Sequence, residues 1–386
     1  MASLDPGEAL SYDGASNAQR RLPVSVNLRI PGPTPCPEDV LEACGRQMIN
    51  HRGPEFAEMI ARQTSKLQKL CQTKHDFYIM TTSGTGVMEA AIVNTLSPGD
   101  KVLNVSVGVF GDRFGQIAEA YGAKVTSLKG EWGKGADPEE VARALEADRE
   151  LKAVLVTHNE TSTGVTNKLG EIAKAIRRVR PDILILVDAI SSLGAIALPI
   201  DEWDLDVVVT ASQKGWMVPP ALGFVVFGPR AWQAYEKAAM PRFYFDVGKA
   251  KDYLQRGQTA WTPAVSVFFG LELALDKLEA EGIENIFARH HRVAEVARQG
   301  VKSLGLELFS DESVASDTVS AVKVPEGVDG VKLVKVMREE HGVVLAGGQT
   351  TLAGKIFRIG HLGWVFEADV QAVIDALRVA LPKLGY

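Results

Sequence analysis

Short apolar runs rich in β-branched residues recur along the middle of the chain, from about residue 78 onward. Each run is continuous rather than alternating, and each is too short to form a helix. Runs of this kind are typical of strands that are covered on both faces of a sheet. They occupy residues 78–82, 101–107, 153–157, 183–188, 207–210 and 224–227.

Helical patterns separate these runs. Asp137-Pro138-Glu139-Glu140 combines an N-cap, a proline at the first helical position and acids in the first turn. Residues 169–178 also have a helical pattern, and two arginines lie near the end of this predicted helix, where a positive charge is favourable. Strands that alternate with helices predict an α/β domain with a mainly parallel sheet.

The pattern changes after about residue 262, where long helices precede a few short strands. Helices are predicted over 268–281, 286–304, 330–340 and 368–381, and strands over 318–324, 343–345 and 355–359. We therefore predict a polar tail and an extended arm over residues 1–30, a large domain over 31–265 and a small α+β domain over 266–386. Three prolines within residues 31–35 exclude a helix where the arm meets the large domain.

Composition narrows the class of protein further. The 386 residues carry a net charge of −6, which gives no basic surface for nucleic acid. The three cysteines, Cys36, Cys44 and Cys71, show no CxxC spacing and favour neither a disulfide scaffold nor a structural zinc site. The chain has no apolar run of about 18 residues and no secretory signal pattern, so we expect a cytoplasmic enzyme without a membrane segment.

The residues after each apolar run are candidates for chemistry, because ligands of open parallel sheets bind beyond the carboxyl ends of the strands. Thr82-Ser83-Gly84-Thr85-Gly86 follows the first run and precedes a helical pattern. Free N–H groups at such a turn can bind phosphate, although a plain strand-to-helix turn has the same composition. The spacing matches neither a Walker A loop nor a dinucleotide-binding glycine fingerprint.

Two further candidates follow later runs. Asp188 ends one run and could bind a metal, a ribose or a pyridinium nitrogen, or simply cap a helix. Lys214 follows another and could be a buried functional amine or a loop lysine that reaches solvent. A phosphate site, an acid and a lysine at one end of a sheet are together what pyridoxal 5′-phosphate requires.

The sequence also resembles the class V, fold-type I aminotransferases, within the alanine–glyoxylate and serine–glyoxylate (serine–pyruvate) group. The similarity extends from about Leu28 to Leu381 and rests on a series of motifs in order. These are PGPTPCPEDV (31–40), NHRGPEF (50–56), TTSGTGVMEA (81–90), GVFGDR (108–113), THNETSTGV (157–165), LVDAISSLG (186–194), TASQKGWMVPP (210–220) and FRIGHLG (357–363).

The resemblance implies the pyridoxal-phosphate transferase fold of type I, with a mainly parallel seven-stranded sheet and a small C-terminal domain. It also implies roles for individual residues. Lys214 matches the Schiff-base lysine, Asp188 the acid at the pyridine nitrogen, and Arg358 the arginine that pairs with the substrate carboxylate. The remaining matches are Ser83, Gly84, Thr85 and Gln213 at the phosphate, Phe110, Thr161 and Ile190 around the ring, and Gly32 at the substrate.

Other residues match the family less directly, depart from it or have no assigned role. Thr262 matches a threonine that reaches the phosphate of the neighbouring subunit, which implies a homodimer. Thr259 falls where some relatives carry a tyrosine, and Thr85 where mammalian relatives carry a histidine. His51 is as consistent with a structural role as with a place near the site entrance, and His158 and Glu160 are expected to form a structural hydrogen-bonded pair rather than an acid–base pair.

The resulting hypothesis is a pyridoxal-phosphate-dependent transaminase. It would move an amino group from alanine or serine to glyoxylate or pyruvate by a ping-pong mechanism. The alternatives are a lyase or desulfurase of the same fold, a nicotinamide-dependent oxidoreductase, and a non-catalytic protein of this fold. Desulfurases use a cysteine late in the chain, whereas no cysteine follows Cys71 here.

Overall fold

The computed structural model describes residues 26–386, and the predicted polar tail lies outside them. Helices are α1 (Glu38–Cys44), α2 (Pro54–Leu70), α3 (Gly84–Val93), α4 (Val109–Ala120), α5 (Pro138–Ala147), α6 (Leu169–Val179), α7 (Pro229–Tyr235), α8 (Val247–Leu254), α9 (Val265–Glu281), α10 (Ile283–Ser303), α11 (Gly330–His341) and α12 (Glu367–Lys383). Strands are β1 (Asn27–Arg29), β2 (Asp76–Thr81), β3 (Lys101–Ser106), β4 (Lys124–Lys129), β5 (Leu151–Thr157), β6 (Asn159–Glu160), β7 (Val165–Thr166), β8 (Leu184–Asp188), β9 (Val207–Ala211), β10 (Leu222–Phe227), β11 (Val319–Lys323), β12 (Val343–Gly347) and β13 (Ile356–Gly360).

The large sheet has seven strands in the order β2-β10-β9-β8-β5-β3-β4. Neighbouring strands run parallel except around β10, which is antiparallel to both β2 and β9. Strands β5, β8, β9 and β10 are almost entirely buried, because helices cover both faces of the sheet. The predicted α/β fold with a mainly parallel seven-stranded sheet is confirmed, and all six apolar runs form strands of it.

Strand β4 is the one strand of this sheet that the apolar runs do not predict. Its sequence, KVTSLK, places lysines at both ends, and every residue of the strand is exposed or half-buried. It pairs only with β3 at the edge of the sheet, where one side faces solvent. Lysines at an edge discourage pairing with another chain, so the polar sequence suits the position.

The second sheet contains β1, β12, β13 and β11, in that order. Strand β1 comes from the predicted arm and pairs parallel to β12 over Asn27–Arg29 and Val343–Leu345. The chain therefore starts this sheet at its N-terminal end and completes it more than 300 residues later. The division into domains at residues 31 and 265 stays a prediction, since the arm and the C-terminal strands share one sheet.

Most predicted helices are found within a few residues of their expected ends. Asp137 caps α5 by accepting a hydrogen bond from Glu139 N at 2.9 Å, as the sequence indicates. The main omission is α2, whose 17 residues begin at Pro54. Its apolar face, including Phe56 and Leu67, is buried against α9, so a long-range contact rather than a cap signal defines it.

Across residues 26–386, we find no helix that combines the length and the apolar character needed to cross a membrane.

Candidate active site

A cavity of about 150 Å³ lies at the carboxyl ends of the large-sheet strands. The loops that follow β2, β3, β8 and β9 all open onto it, because parallel strands bring their carboxyl ends to one edge. It brings together nine of the predicted site residues, namely Ser83, Gly84, Thr85, Phe110, Thr161, Asp188, Ile190, Gln213 and Lys214. Met88, Arg113, Asn159 and Ser191 complete its lining.

One wall of the cavity is the N-terminus of α3. Ser83 occupies the N-cap position with extended backbone, but its side chain makes no capping hydrogen bond. The first N–H groups of a helix have no partners within the helix, so this end presents donors and a positive dipole to the cavity. At Gly84 a Cβ atom would come within 2.8 Å of the Ile190 side chain, so glycine allows α3 to approach the opposite loop closely.

Asp188 is buried at the end of β8. One carboxylate oxygen accepts a hydrogen bond from Ile190 N at 3.0 Å, and the other accepts one from the Thr157 hydroxyl at 3.3 Å. Burial raises the pKa of Asp188 to about 7, and the positive charge of Lys214 opposes part of that rise. A carboxylate held this way is ready to pair with a cation in the cavity.

Lys214 follows β9 and extends its amine into the same space. Burial lowers the pKa of Lys214 to about 8, although Asp188 acts in the opposite direction. Its Nζ donates a hydrogen bond to the backbone oxygen of Pro31. Gly32, with φ +124°, packs against the lysine so closely that a Cβ there would lie 2.8 Å from Lys214 Cδ. The proline-rich segment 31–35 therefore positions the lysine. The contact of Gly32 with substrate stays a prediction.

Arg358 lies on β13 of the small sheet and is buried beside the cavity, not among its lining residues. Its Nη1 donates to Thr161 O at 3.1 Å, which connects the small sheet to the turn that carries the site threonine. Its Nε and Nη2 both donate to Gly347 O, at 3.1 and 2.8 Å. Burial lowers the pKa of the guanidinium, and the nearby Glu160 opposes this shift.

His158 and Glu160 do not pair with each other, so the hydrogen-bonded pair expected from the sequence is wrong. His158 Nδ1 lies 3.0 Å from the Ser192 hydroxyl, and burial lowers the pKa of this histidine to about 4. Glu160 turns the other way and accepts hydrogen bonds from the backbone at the start of α4. The two side chains therefore have separate hydrogen-bond partners, which a linear sequence does not reveal.

Thr262 and Thr259 are not in the cavity. Thr262 is exposed, and the Thr259 hydroxyl donates to Trp261 O at 2.7 Å. Among the lining residues without a predicted role, Asn159 uses its side chain fully, donating to the Ser191 and Thr318 hydroxyls at 2.8 Å. Arg113 is the last residue of the GVFGDR motif, so the motif included this lining residue but the sequence analysis assigned it no role.

The fold and the site together define a class of enzyme. Residues 26–365 match the family Aminotransferase class-V, and the chain belongs to that family.

The chain is also similar to individual proteins of known sequence or structure. The chain is 45% identical to "Soluble hydrogenase, small subunit" of Synechococcus over 93% of this chain and 94% of that protein. It is 38% identical to L-aspartate–glyoxylate aminotransferase of Paracoccus denitrificans over 92% and 91% of the two chains. The crystal structure of alanine–glyoxylate aminotransferase from Nostoc sp. superposes with a TM-score of 0.89 at 29% identity, covering 98% of each chain.

Proposed function

We propose that this chain binds pyridoxal 5′-phosphate and transfers the amino group of a small amino acid to glyoxylate or another small 2-oxo acid. The observation that carries the proposal is the cavity that gathers a helix N-terminus, the acid Asp188 and the amine of Lys214. Membership of the class-V aminotransferases supports the same reaction.

The residues present fit this cofactor. The N-terminus of α3 and Gln213 form a neutral set of polar groups suited to a phosphate. Gln213 Oε1 is buried without a hydrogen-bond partner among the described residues. An amide oxygen only accepts, so Gln213 would bind a phosphate through the N–H groups of Nε2. Phe110 and Ile190 offer apolar surface for a ring, and Asp188 offers a carboxylate for a protonated ring nitrogen.

Pyridoxal phosphate, when bound, supplies an aldehyde that reacts with amines and a ring that accepts an electron pair. Lys214 would supply the amine that holds the cofactor, and its amine would also be the base that moves the proton of the substrate α-carbon. A pKa near 8 suits this work, because a useful fraction of the amine is then neutral close to neutral pH.

Asp188 keeps its negative charge when a cation lies beside it. Its pKa near 7 reflects burial, and a protonated ring nitrogen in contact with the carboxylate would lower that value. Two fixed hydrogen bonds, from Ile190 N and Thr157, keep the carboxylate from rotating. The acid would therefore keep a bound ring nitrogen protonated.

The relatives suggest the acceptor more clearly than the donor. The Paracoccus and Nostoc proteins are both named for glyoxylate, whereas one is named for aspartate and the other for alanine. We propose glyoxylate as the acceptor and alanine or serine as donors. Donor and acceptor would use one site in turn, giving a ping-pong mechanism with parallel lines in double-reciprocal plots.

We also propose that the active unit is a homodimer in which Thr262 reaches the partner's cofactor phosphate. Thr262 is exposed, and its neighbour Trp261 stacks on Phe243 with ring centroids 4.8 Å apart. Phe243 is 66% exposed, and Tyr244 beside it is 44% exposed. Large aromatic side chains gathered on a surface favour burial against another chain.

A cytoplasmic location completes the proposal. The three cysteines are unpaired, and Cys71 is buried, which suits a reducing compartment.

Absorbance spectroscopy tests the central claim. The purified protein, incubated with pyridoxal phosphate, should develop a visible absorbance band that borohydride abolishes, with the label located at Lys214 by mass spectrometry. Lys214→Ala should show neither the band nor transaminase activity. Lys129→Ala, which removes an exposed lysine of β4, should retain both. A wild-type protein that stays colourless would contradict the proposal.

A further inference from the structure

Arg113 lies in the second turn of α4 and lines the cavity together with Lys214 and Asp188. Its guanidinium lies over the ring of Phe110, with Cζ 4.8 Å from the ring centroid. The side chain is partly buried. Packing on an aromatic ring orients a guanidinium at little cost, since the positive charge is attracted to the face of the ring.

No acidic side chain among residues 26–386 lies within ion-pair distance of this guanidinium. Asp112, its neighbour in sequence, accepts a hydrogen bond from the Ser106 hydroxyl at 2.8 Å and lies 4.0 Å from Lys129. Glu160, beneath the same helix, uses its oxygens on the backbone of α4 and on Ser162. Arg113 is therefore a cation at the cavity wall whose partner is not an acid of the described chain.

The charge of Arg113 interacts with the cavity amine, because both Arg113 and Arg358 lower the pKa of Lys214. Two cations thus flank the reacting amine, one on helix α4, which packs on the large sheet, and one on β13 of the small sheet. The resemblance assigns the substrate α-carboxylate to Arg358, and under the proposed function neutral groups at α3 take the cofactor phosphate. The second guanidinium is left for a second anion, and a guanidinium can bind a carboxylate through two parallel hydrogen bonds.

We propose that Arg113 binds the side-chain carboxylate of an acidic amino donor, aspartate or glutamate, and so extends the donor range beyond alanine and serine. The inference rests on the proposed transaminase function. The anion could also come from the cofactor, because phosphate and carboxylate present similar oxygens to a guanidinium. The experiment therefore measures donor preference and cofactor affinity separately.

The test compares wild-type holoenzyme with Arg113→Met and Lys129→Met, using glyoxylate as acceptor and aspartate, glutamate or alanine as donor. Arg113→Met removes the charge but keeps an unbranched side chain, and Lys129→Met removes an exposed charge near the same helix. The ratio of kcat/KM for the better acidic donor to that for alanine should fall about 10- to 100-fold in Arg113→Met, the loss expected for one charged hydrogen-bonded contact. Lys129→Met should leave the ratio unchanged, and Arg113→Lys should restore part of it.

Spectral titration with pyridoxal phosphate supplies the second readout, and its affinity should be the same in Arg113→Met and wild type. An unchanged donor ratio with weaker cofactor binding would assign Arg113 to the phosphate and overturn the inference. A wild-type enzyme that uses alanine but neither acidic donor would overturn it as well, while leaving the proposed function intact. A wild-type enzyme that binds the cofactor but uses no amino donor would contradict both.

Discussion

The hydrogen bonds of Arg358 determine which of its donors remain for a substrate. Nε and Nη2 share one protein acceptor, Gly347 O, while Nη1 donates to Thr161 O and lies 3.4 Å from Gln349 Oε1. These contacts hold the guanidinium plane still, because Nη1 donates to both Thr161 O and Gln349 Oε1. The N–H bond of Nη2 that does not meet Gly347 O stays available for a substrate. A guanidinium that is fixed in advance loses little entropy when a carboxylate binds.

We predict that Arg358→Ala raises KM for both the amino donor and the 2-oxo acceptor. Both substrates carry a carboxylate, and the ping-pong scheme brings each to the same guanidinium. The loss in kcat/KM should be on the order of 10²-fold for each substrate, as for a charged hydrogen-bonded contact. Steady-state kinetics with alanine and glyoxylate measures it.

Arg378→Ala is the matched control for this measurement, because Arg378 is an exposed arginine of α12 whose ion-pair partner is Asp375. It should behave as wild type. An Arg358→Ala enzyme with both KM values unchanged would show that the substrate carboxylate binds elsewhere.

At the scale of elements, the start of α4 depends on a buried acid. Glu160 Oε2 accepts hydrogen bonds from Phe110 N and Gly111 N, each at 2.9 Å. Its Oε1 accepts hydrogen bonds from Ser162 N at 3.0 Å and from the Ser162 hydroxyl at 2.6 Å. Burial raises the pKa of Glu160, while these four hydrogen bonds favour the ionised form. The acid thereby fixes the helix turn from which Phe110 and Arg113 reach the cavity.

We predict that Glu160→Ala lowers the free energy of unfolding by about 1–3 kcal/mol, because buried N–H groups at the start of α4 lose their acceptor. Glu160→Gln keeps one acceptor oxygen and should lose less. Urea denaturation monitored by circular dichroism measures both changes, and hydrogen exchange should show faster exchange at Phe110 and Gly111.

Glu119→Ala serves as the control, since Glu119 is an exposed acid near the opposite end of the same helix. Equal destabilisation by the Glu160 and Glu119 substitutions would mean that Glu160 does not support the helix start.

At the scale of the whole molecule, the position of Thr262 is informative. It lies outside the cavity of its own chain, so a contact with a cofactor phosphate requires a second copy. The exposed Phe243 and the half-buried Trp261 that stacks on it would be covered in such a dimer. Under this arrangement each active site contains Lys214 from one subunit and Thr262 from the other.

Hybrid dimers test this arrangement. Thr262→Val alone should weaken pyridoxal phosphate binding about 3- to 10-fold, as for the loss of one hydrogen bond. In a hybrid of Thr262→Val and Lys214→Ala subunits, the site with an intact Lys214 faces an intact Thr262 from its partner. That site should bind the cofactor as tightly as wild type in a spectral titration.

A monomeric protein in sedimentation experiments would contradict the shared site. Equally, a hybrid that binds no more tightly than the Thr262→Val homodimer would show that the threonine serves its own subunit.

The sequence by itself determined the main layers and the local chemistry. Buried strands such as β8 and β9 must be apolar on both faces, so they are recognisable as short continuous runs. The residues that follow them, Asp188 and Lys214, meet at one edge because parallel strands share a direction. Nine of the predicted residues consequently line one cavity.

Only the tertiary structure decided the features that depend on contacts between distant segments of the chain. Strand β1 joins β12 across more than 300 residues, and Gly32 packs on Lys214. Edge strand β4 lacks the apolar signal because it faces solvent, and Glu160 turns toward α4 rather than toward His158. Which atoms these groups meet depends on side-chain direction and long-range packing, and a linear pattern specifies neither.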